Sequence, residues 1–215
     1  MKTRIVLLGP PASGKGTQAE LIKARYGIAS VSPGAMLREE MRLGTPLGIE
    51  ADRITRDGSM VSDAMVIQLV GNWLAAHTEG FVFDGFPRTI AQADALDRML
   101  AELHAPLDGV LFFDISAQTI FERVMNRLTC TQCGRSFAVG LHLKSAEARC
   151  PKCGGTLGRR SDDTPEALEH RIAQYREKTE PLVEYYQRRG LLWTLKSADG
   201  PEGVFAEISS LLEAL

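Results

Sequence analysis

Gly9-Pro10-Pro11-Ala12-Ser13-Gly14-Lys15-Gly16-Thr17 directly follows the apolar run Arg4-Ile5-Val6-Leu7-Leu8. This stretch matches the pattern GxxxxGK[ST], except that Gly16 stands between the lysine and the threonine. Glycines let the backbone curl so that successive N–H groups face one anion, and they remove the Cβ that would block a phosphate. A strand before the loop and a helix after it favour a nucleoside triphosphate site over an ordinary glycine-rich turn.

The bulk composition is that of one globular core with insertions. The 215 residues are 44% hydrophobic and 24% charged. A net charge of −2 gives no electrostatic footprint for nucleic acid or an anionic membrane, so we expect neither partner. Met1-Lys2-Thr3 leads into the first strand without a signal peptide, which predicts a cytoplasmic protein. The lack of a spare apolar helix face favours a monomer.

Apolar strands alternate with helices along the chain. We predict strands at 4–8, 28–31, 80–84, 110–114 and 191–195. Five such strands predict an α/β fold, a parallel sheet with helices on both faces, and ligands at the carboxyl ends of the strands. The predicted helices span 15–25, 34–42, 47–57, 63–77, 89–103, 118–128, 165–189 and 201–214.

The segment 129–160 breaks this alternation and contains all four cysteines. Cys130-x-x-Cys133 and Cys150-x-x-Cys153 are separated by 16 residues, which is the spacing of two zinc knuckles. Four thiolates leave no open coordination position, so the metal would be structural. A nucleic-acid-binding ribbon is the weaker alternative, because Phe137 is the segment's single aromatic residue.

Phosphoryl transfer requires positioned cations, Mg²⁺ and exclusion of water. The best candidates lie beside strand ends and insertion hinges: Arg38, Arg88, Arg123, Arg127, Arg160 and Arg171. Arg123 and Arg127 are four residues apart, which predicts that they share one helix face. The remaining candidates for surface positions are Arg25, Arg98, Arg188 and Arg189.

Carboxylates offer two further interpretations. Asp84 ends the apolar strand Phe81-Val82-Phe83, where it would hold a Mg²⁺-bound water or cap the next turn, and we favour the metal role. Asp162 and Asp163 would cap a helix together with Thr164, or clasp an arginine when the insertion closes. The four histidines have no partner at ligand spacing, and we assign them no role.

Several motifs together resemble the adenylate kinase family over nearly the whole chain. They are the Gly-x-Pro-x-x-Gly-Lys-Gly-Thr loop, Met36-Leu37-Arg38, Asp84-Gly85-Phe86-Pro87-Arg88-Thr89 with Gln92, and Pro181-Leu182-x-x-Tyr185-Tyr186. The cysteine segment resembles the zinc-containing LID of the bacterial long form. The resemblance implies the reversible reaction ATP + AMP ⇌ 2 ADP with Mg²⁺. It also implies a core (1–31, 62–128 and 163–215), an AMP-binding domain (32–61) and a LID (129–162).

The resemblance also implies roles for individual residues. Lys15 and the loop backbone (Gly9, Pro10, Ala12, Ser13, Gly14, Gly16, Thr17) would hold the ATP phosphates, with Arg123 against the adenine and Arg127 on the phosphates. The AMP site would comprise Arg38, Val61, Gly85, Arg88, Gln92, Arg160 and Arg171. Arg160 and Arg171 would also stabilise the transferred group, and Asp84 would orient Mg²⁺.

One segment departs from the family. Members usually read Ser-Thr-Gly-Asp-Met-Leu-Arg where this chain has Ser32-Pro33-Gly34-Ala35-Met36-Leu37-Arg38. Pro33 removes a hydroxyl and a backbone donor near the AMP base, and Ala35 removes a carboxylate. A kinase that prefers another nucleoside monophosphate therefore stays open. A P-loop regulatory NTPase with a zinc-ribbon module is the alternative from a different class.

Overall fold

A computed structural model describes residues 3–56, 59, 61–77, 79–140, 142–143, 145–146, 148–160, 163–196 and 200–215. Asp162, one of the two candidate clasp residues, lies outside these ranges. The elements are, in chain order, β1 (Arg4–Leu8), α1 (Lys15–Tyr26), β2 (Ala29–Val31), α2 (Pro33–Leu43), α3 (Pro46–Thr55), α4 (Asp63–Leu74), β3 (Phe81–Asp84), α5 (Ile90–Glu102), β4 (Gly109–Asp114), α6 (Ala117–Met125), β5 (Arg127–Cys130), β6 (Ser136–Ala138), β7 (Leu157–Gly158), α7 (Pro165–Gln174), a π-helical turn (Tyr175–Thr179), α8 (Pro181–Gln187), β8 (Leu192–Lys196) and α9 (Gly200–Glu213).

Five strands form the parallel sheet that the sequence predicts, in the order β2-β3-β1-β4-β8. Alternate side chains of β1 enter different cores, with Ile5 and Leu7 on one face and Val6 and Leu8 on the other. Burial on both faces explains why these strands are continuous apolar runs. The neighbours of β1 are β3 and β4, so the loop after β1 opens at the centre of the sheet's carboxyl edge.

Helices cover both faces of the sheet. Residues of α1 and α9 pack with the Ile5 and Leu7 side of the sheet. Residues of α4, α5 and α8 pack with the opposite side, where Phe81 and Phe83 lie. None of the helices in the described ranges is long and apolar enough to cross a membrane.

The cysteine insertion, which we define as residues 129–162, adds a second small sheet. Three antiparallel strands lie in the order β6-β5-β7. The small sheet takes up part of the predicted helix 118–128, because α6 ends at Met125 and Arg127 begins β5. The prediction that Arg123 and Arg127 share a helix face is therefore wrong.

Two other helix predictions need correction. The helix predicted to span 63–77 ends as an α-helix at Leu74. The helix predicted over 165–189 is interrupted by the π-helical turn, after which Pro181 starts α8. Glu180 keeps helical backbone angles before Pro181, and its N–H donates to the carbonyl oxygen of Tyr175. Pro181 has no N–H to continue this bonding, so the hydrogen bonds of α8 begin anew after it.

Candidate active site

The glycine-rich loop joins the end of β1 to the first turn of α1. Gly9 and Gly14 have φ angles of 151° and 104°, and a Cβ on Gly9 would lie 3.0 Å from the Cβ of Phe113. Both the backbone conformation and the space therefore require glycine here. Gly14 is the N-cap residue of α1 and provides no side-chain cap. The first N–H groups of α1 are thus available to an anion, which the helix dipole favours.

Lys15 folds back over this loop. Its Nζ donates hydrogen bonds to the carbonyl oxygens of Gly9 and Pro10, both at 2.7 Å, and to Ser13 Oγ at 3.1 Å. Burial lowers the pKa of Lys15 to about 8, and the charge of Asp84 opposes this shift. Three positive groups lower the pKa further, namely Arg88, Arg171 and Arg127. Lys15 therefore lies within the electrostatic reach of one carboxylate and three guanidinium groups.

Asp163 joins two of these arginines. Arg127 Nε donates to Asp163 Oδ2 at 2.8 Å, and Arg127 Nη2 donates to the other oxygen. Arg171 Nη1 lies 3.5 Å from Asp163 Oδ1. The Asp163 side chain is only 1% exposed, so the carboxylate holds both cations in a region with little water. The cap of α7 is instead Thr164, whose Oγ1 accepts from the N–H of Ala167 at 3.2 Å.

Arg160 lies on the cysteine insertion and is held by the small sheet. Its Nε donates to Thr129 Oγ1 at 3.0 Å, and its Nη2 donates to Ser136 Oγ at 2.9 Å. Arg123 lies on α6, where one guanidinium nitrogen donates to the carbonyl oxygen of Ser13 at 3.2 Å. Partial burial lowers the pKa of Arg123. Arg123 is thus fixed against the glycine-rich loop, and Arg160 is fixed to the insertion.

Arg38 and Arg88 come together at Gly34, on the other side of the site. A Cβ on Gly34 would lie 3.3 Å from an Arg38 guanidinium nitrogen and 4.0 Å from one of Arg88. Arg88 Nε donates to the carbonyl oxygen of Gly85 at 2.9 Å. Loss of water lowers the pKa of Arg88, Asp84 raises it, and the charges of Arg171 and Arg38 lower it further. Two guanidinium groups that converge in this way can bind an anion such as a phosphate.

Gln92 lies in the first turn of α5, directly after this arginine pair. Its Oε1 accepts the N–H of Arg88 at 2.7 Å, and its Nε2 donates to Asp63 Oδ1 at 2.7 Å. Thr89 Oγ1 donates to Asp63 Oδ2 at 2.7 Å. Sequence reasoning missed Asp63, because an acidic residue after Ser62 at a helix start looks like an ordinary first-turn charge.

Val61 lies in the same corner of the molecule. A cavity of about 340 Å³ is lined by Val61, Ser62, Asp63, Thr89 and Lys178. Sequence reasoning also missed Thr179, whose Oγ1 donates to the carbonyl oxygen of Arg88 at 2.9 Å. No motif marks Thr179, because its contact with Arg88 spans 91 residues of sequence.

Asp84 lies at the carboxyl end of β3, facing the glycine-rich loop. A Cβ on Gly16 would lie 3.2 Å from Asp84 Oδ2, so the extra glycine leaves room for this carboxylate. The negative charge of Asp84 also raises the pKa values of Lys15 and Arg88, against the effect of burial. Asp84 is therefore the carboxylate between the loop and the arginine pair, and an oxygen donor of this kind suits Mg²⁺.

The four cysteines form one cluster. Their sulfur atoms all lie within 4.8 Å of one another, with Cys130–Cys153 at 3.5 Å and Cys133–Cys150 at 3.7 Å. Four thiolates around a tetrahedral Zn²⁺ with bonds of about 2.3 Å lie roughly 3.8 Å apart, so the cluster fits this ion. The backbone N–H of Cys133 is the main cause that lowers the pKa of Cys130 to about 6, which favours the thiolate.

The segment that departs from the family begins α2. Ser32 is the N-cap residue and Pro33 is the first helical residue, a position where proline loses no intrahelical bond. Ala35 donates its N–H to the carbonyl oxygen of Ser32 at 2.8 Å. Pro33 and Ala35 therefore leave the helix start intact, while they remove two polar side chains and the backbone N–H of residue 33.

The arginines assigned to the surface lie there or pair nearby. Arg25 and Arg98 are exposed, and Arg188 forms an exposed ion pair with Glu184. The guanidinium carbon of Arg189 lies 3.5 Å from the centre of the Tyr185 ring. These contacts involve none of the candidate site residues.

Comparison with known proteins identifies the family of the chain. A sequence model described as adenylate kinase matches residues 7–191. An adenylate kinase of Thermodesulfovibrio yellowstonii is 40% identical over 212 residues, which cover 98% of this chain and 99% of that protein. An adenylate kinase of Archaeoglobus fulgidus is 39% identical over 213 residues, or 98% of each chain. The glycine-rich loop, the Asp84 to Gln92 motif and this similarity over almost the full length place the chain in the adenylate kinase family.

Proposed function

We propose that this chain transfers the γ-phosphoryl group of MgATP to AMP and runs the reaction in both directions, ATP + AMP ⇌ 2 ADP. One observation carries the proposal. Asp84 Oδ2 lies 3.2 Å from where a Cβ on Gly16 of the glycine-rich loop would be, and Arg88 Nε donates to the carbonyl oxygen of Gly85, the residue after Asp84, at 2.9 Å. An anion site on each side of Asp84 suits transfer between two bound nucleotides.

The donor site would be built on the glycine-rich loop. The loop backbone and Lys15 would hold the β- and γ-phosphates, because the N–H groups of α1 and the ammonium group meet there. Arg123, fixed to the carbonyl oxygen of Ser13, would lie against the adenine. Arg127 would bind the phosphates from its place beside Asp163.

The acceptor site would be built on the arginine pair. Arg38 and Arg88 would grip the AMP phosphate, and Gln92 would read the adenine. Val61 and the backbone at Gly85 would line this site. Arg160 and Arg171 would approach the transferred group as its charge spreads over three oxygens.

Asp84 and Thr17 are the residues that would hold Mg²⁺, directly or through water. The ion would neutralise charge on the phosphates as the phosphoryl group moves. No residue needs to act as a base, since the attacking AMP phosphate is already an anion. The task of the protein is therefore to align the two nucleotides and to exclude water.

The cysteine insertion would provide the cover. It carries Arg160 and connects to α1 through Arg135 Nη2, which lies 3.0 Å from Glu20 Oε2. The four-cysteine cluster could hold a structural Zn²⁺, which would give this short segment a stable centre. Closure of the insertion would bring Arg160 to the phosphates and expel water.

The test is a coupled assay of the purified protein with MgATP and AMP, GMP, UMP or CMP. We expect transfer to AMP to be fastest. Faster turnover with another monophosphate would reassign the acceptor, and triphosphate hydrolysis indifferent to every monophosphate would refute a kinase. Arg88→Met should raise the KM for AMP by about tenfold or more with little change in the KM for MgATP, because charged hydrogen bonds contribute about 1.5–3 kcal/mol. The exposed Arg98→Met, on the helix α5 that follows Arg88, is the matched control.

A further inference from the structure

Gln92 is an amide whose two ends are held by groups of fixed polarity. The N–H of Arg88 can only donate, and it meets Oε1 at 2.7 Å. The carboxylate of Asp63 can only accept, and it meets Nε2 at 2.7 Å. Rotating the amide by 180° would place the NH₂ group against an N–H and the oxygen against a carboxylate. Gln92 is only 3% exposed, so water cannot compensate for those contacts.

Asp63 is itself held in place. Thr89 Oγ1 donates to its second oxygen, and the backbone N–H of Gln92 donates to Thr89 Oγ1 at 3.1 Å. The backbone of Arg88 is also held at its carbonyl oxygen, which accepts a hydrogen bond from Thr179 Oγ1. The contacts among Gln92, Asp63 and Thr89 form a closed ring between α4 and the start of α5, and Thr179 of the π-helical turn holds Arg88 from outside this ring.

The ring and the Arg88 contact leave Gln92 with one N–H and one lone pair. Adenine offers an acceptor at N1 and a donor at N6 along its Watson–Crick edge. Hypoxanthine, the base of IMP, has nearly the same shape but offers a donor at N1 and an acceptor at O6. An amide of fixed orientation matches the first pattern and opposes the second, whereas an amide free to rotate can match both.

We propose that Asp63 is a positioning residue that sets selectivity for the acceptor base by locking the orientation of the Gln92 amide. The inference rests on the proposed function, in which Gln92 reads the adenine of AMP. Asp63 reaches the base only through Gln92. Its removal should therefore alter the choice between bases and leave the ATP site unaffected.

The experiment measures kcat and KM with AMP and with IMP at saturating MgATP. In Asp63→Ala, kcat/KM for AMP should fall about fivefold through KM, the loss expected for one hydrogen bond. Only the N–H of Arg88 then opposes rotation of the amide, so the rotated form has one mismatched contact instead of two. The value for IMP should therefore hold or rise, and the AMP/IMP ratio should fall at least as much. Asp63→Asn retains an oxygen that can accept from Gln92 Nε2, so its ratio should stay within about twofold of wild type.

Ser62→Ala is the matched control. Ser62 Oγ accepts the N–H of Met65 at 3.3 Å and caps the same helix without contacting Gln92. This variant should lose stability and keep the AMP/IMP ratio. Equal falls for AMP and IMP in Asp63→Ala, or an Asp63→Asn ratio as low as that of Asp63→Ala, would overturn the role of Asp63.

The proposed function and this inference fail in different ways. A wild-type protein that does not use AMP would refute the function and, with it, the inference. Use of AMP with a ratio that Asp63→Ala leaves unchanged would refute the inference alone. If Asp63→Ala does not fold, NMR of the wild type decides: in the locked orientation Oε1 faces the Arg88 N–H, so the Gln92 side-chain NH₂ protons should give no strong NOE to that proton, whereas a strong NOE would reveal the rotated amide and overturn the lock.

Discussion

The Asp163→Asn substitution tests whether the buried carboxylate is what allows Arg127 and Arg171 to lie together. Asp163 is 1% exposed, and the side chains of its two partners are 13% and 20% exposed. Unit charges at 4 Å interact by about 4 kcal/mol at an effective dielectric constant of 20. Removing one partner of a buried ion pair typically costs 3–5 kcal/mol, and the partial exposure of the arginines favours the lower end.

We therefore expect Asp163→Asn to lower the free energy of unfolding by about 3 kcal/mol without nucleotide. In a chain of this size that loss corresponds to a fall in Tm of about 6–12 °C. ATP brings negative charge to the same arginines under the proposed function. Saturating ATP should thus stabilise the variant more than it stabilises the wild type.

The measurement is thermal and urea unfolding of both proteins, with and without saturating ATP. Glu184→Gln is the control, because its partner Arg188 forms an exposed pair that should contribute less than about 1 kcal/mol. An Asp163→Asn protein as stable as Glu184→Gln would refute the reasoning. Equal stabilisation by ATP in variant and wild type would refute the part that concerns shared arginines.

Two further predictions concern the metal cluster and the phosphate-loop lysine. Cys130→Ser should release zinc, lower Tm and keep much of the activity at low temperature, since the ion would serve structure only. Loss of metal from the variant, measured by atomic absorption, would support this prediction. An unchanged Tm after chelation of the wild type would contradict it. The pKa of Lys15 is about 8 in the native protein, against an ordinary 10.5. Between these two pH values the unfolded chain binds more protons than the native protein does. The free energy of unfolding should therefore rise with pH across this window, relative to Lys15→Met. The KM for MgATP should also rise above pH 8 as Lys15 loses its charge, and a KM that is flat from pH 7 to about pH 9.5 would contradict this role.

Local chemistry explains what could be predicted from the chain. The glycine-rich loop can be recognised in the sequence because a phosphate-binding loop needs a strand before it, a curled backbone and a helix start after it. The cysteine pairs can be recognised in the sequence because zinc binding fixes both the type of donor atom and the spacing of the donors. The apolar strands can be recognised in the sequence because burial on both faces of a parallel sheet makes them continuous apolar runs, without alternating polar residues.

The helix boundary at Met125 could not be predicted, because pairing of β5 with β6 and β7 overrides local helix propensity there. The choice of Thr164 over Asp163 as the cap of α7 could not be predicted either, since both side chains suit a cap. It is the ion pairs with Arg127 and Arg171 that engage the Asp163 carboxylate. Asp63 and Thr179 were missed for a related reason: their partners, Gln92 and Arg88, are far away in sequence.

The sequence by itself determined the family and the donor set for a metal site, and it predicted the residues of the two nucleotide sites, since each depends on residue types in short motifs. Tertiary structure alone decided the strand order that puts the glycine-rich loop between β3 and β4. It also decided which carboxylate meets which cation or amide, as with Asp163 and Asp63. The physical reason is that a buried polar group must be paired by whatever partner the fold brings within about 3 Å, and that partner is set by packing rather than by neighbours along the chain.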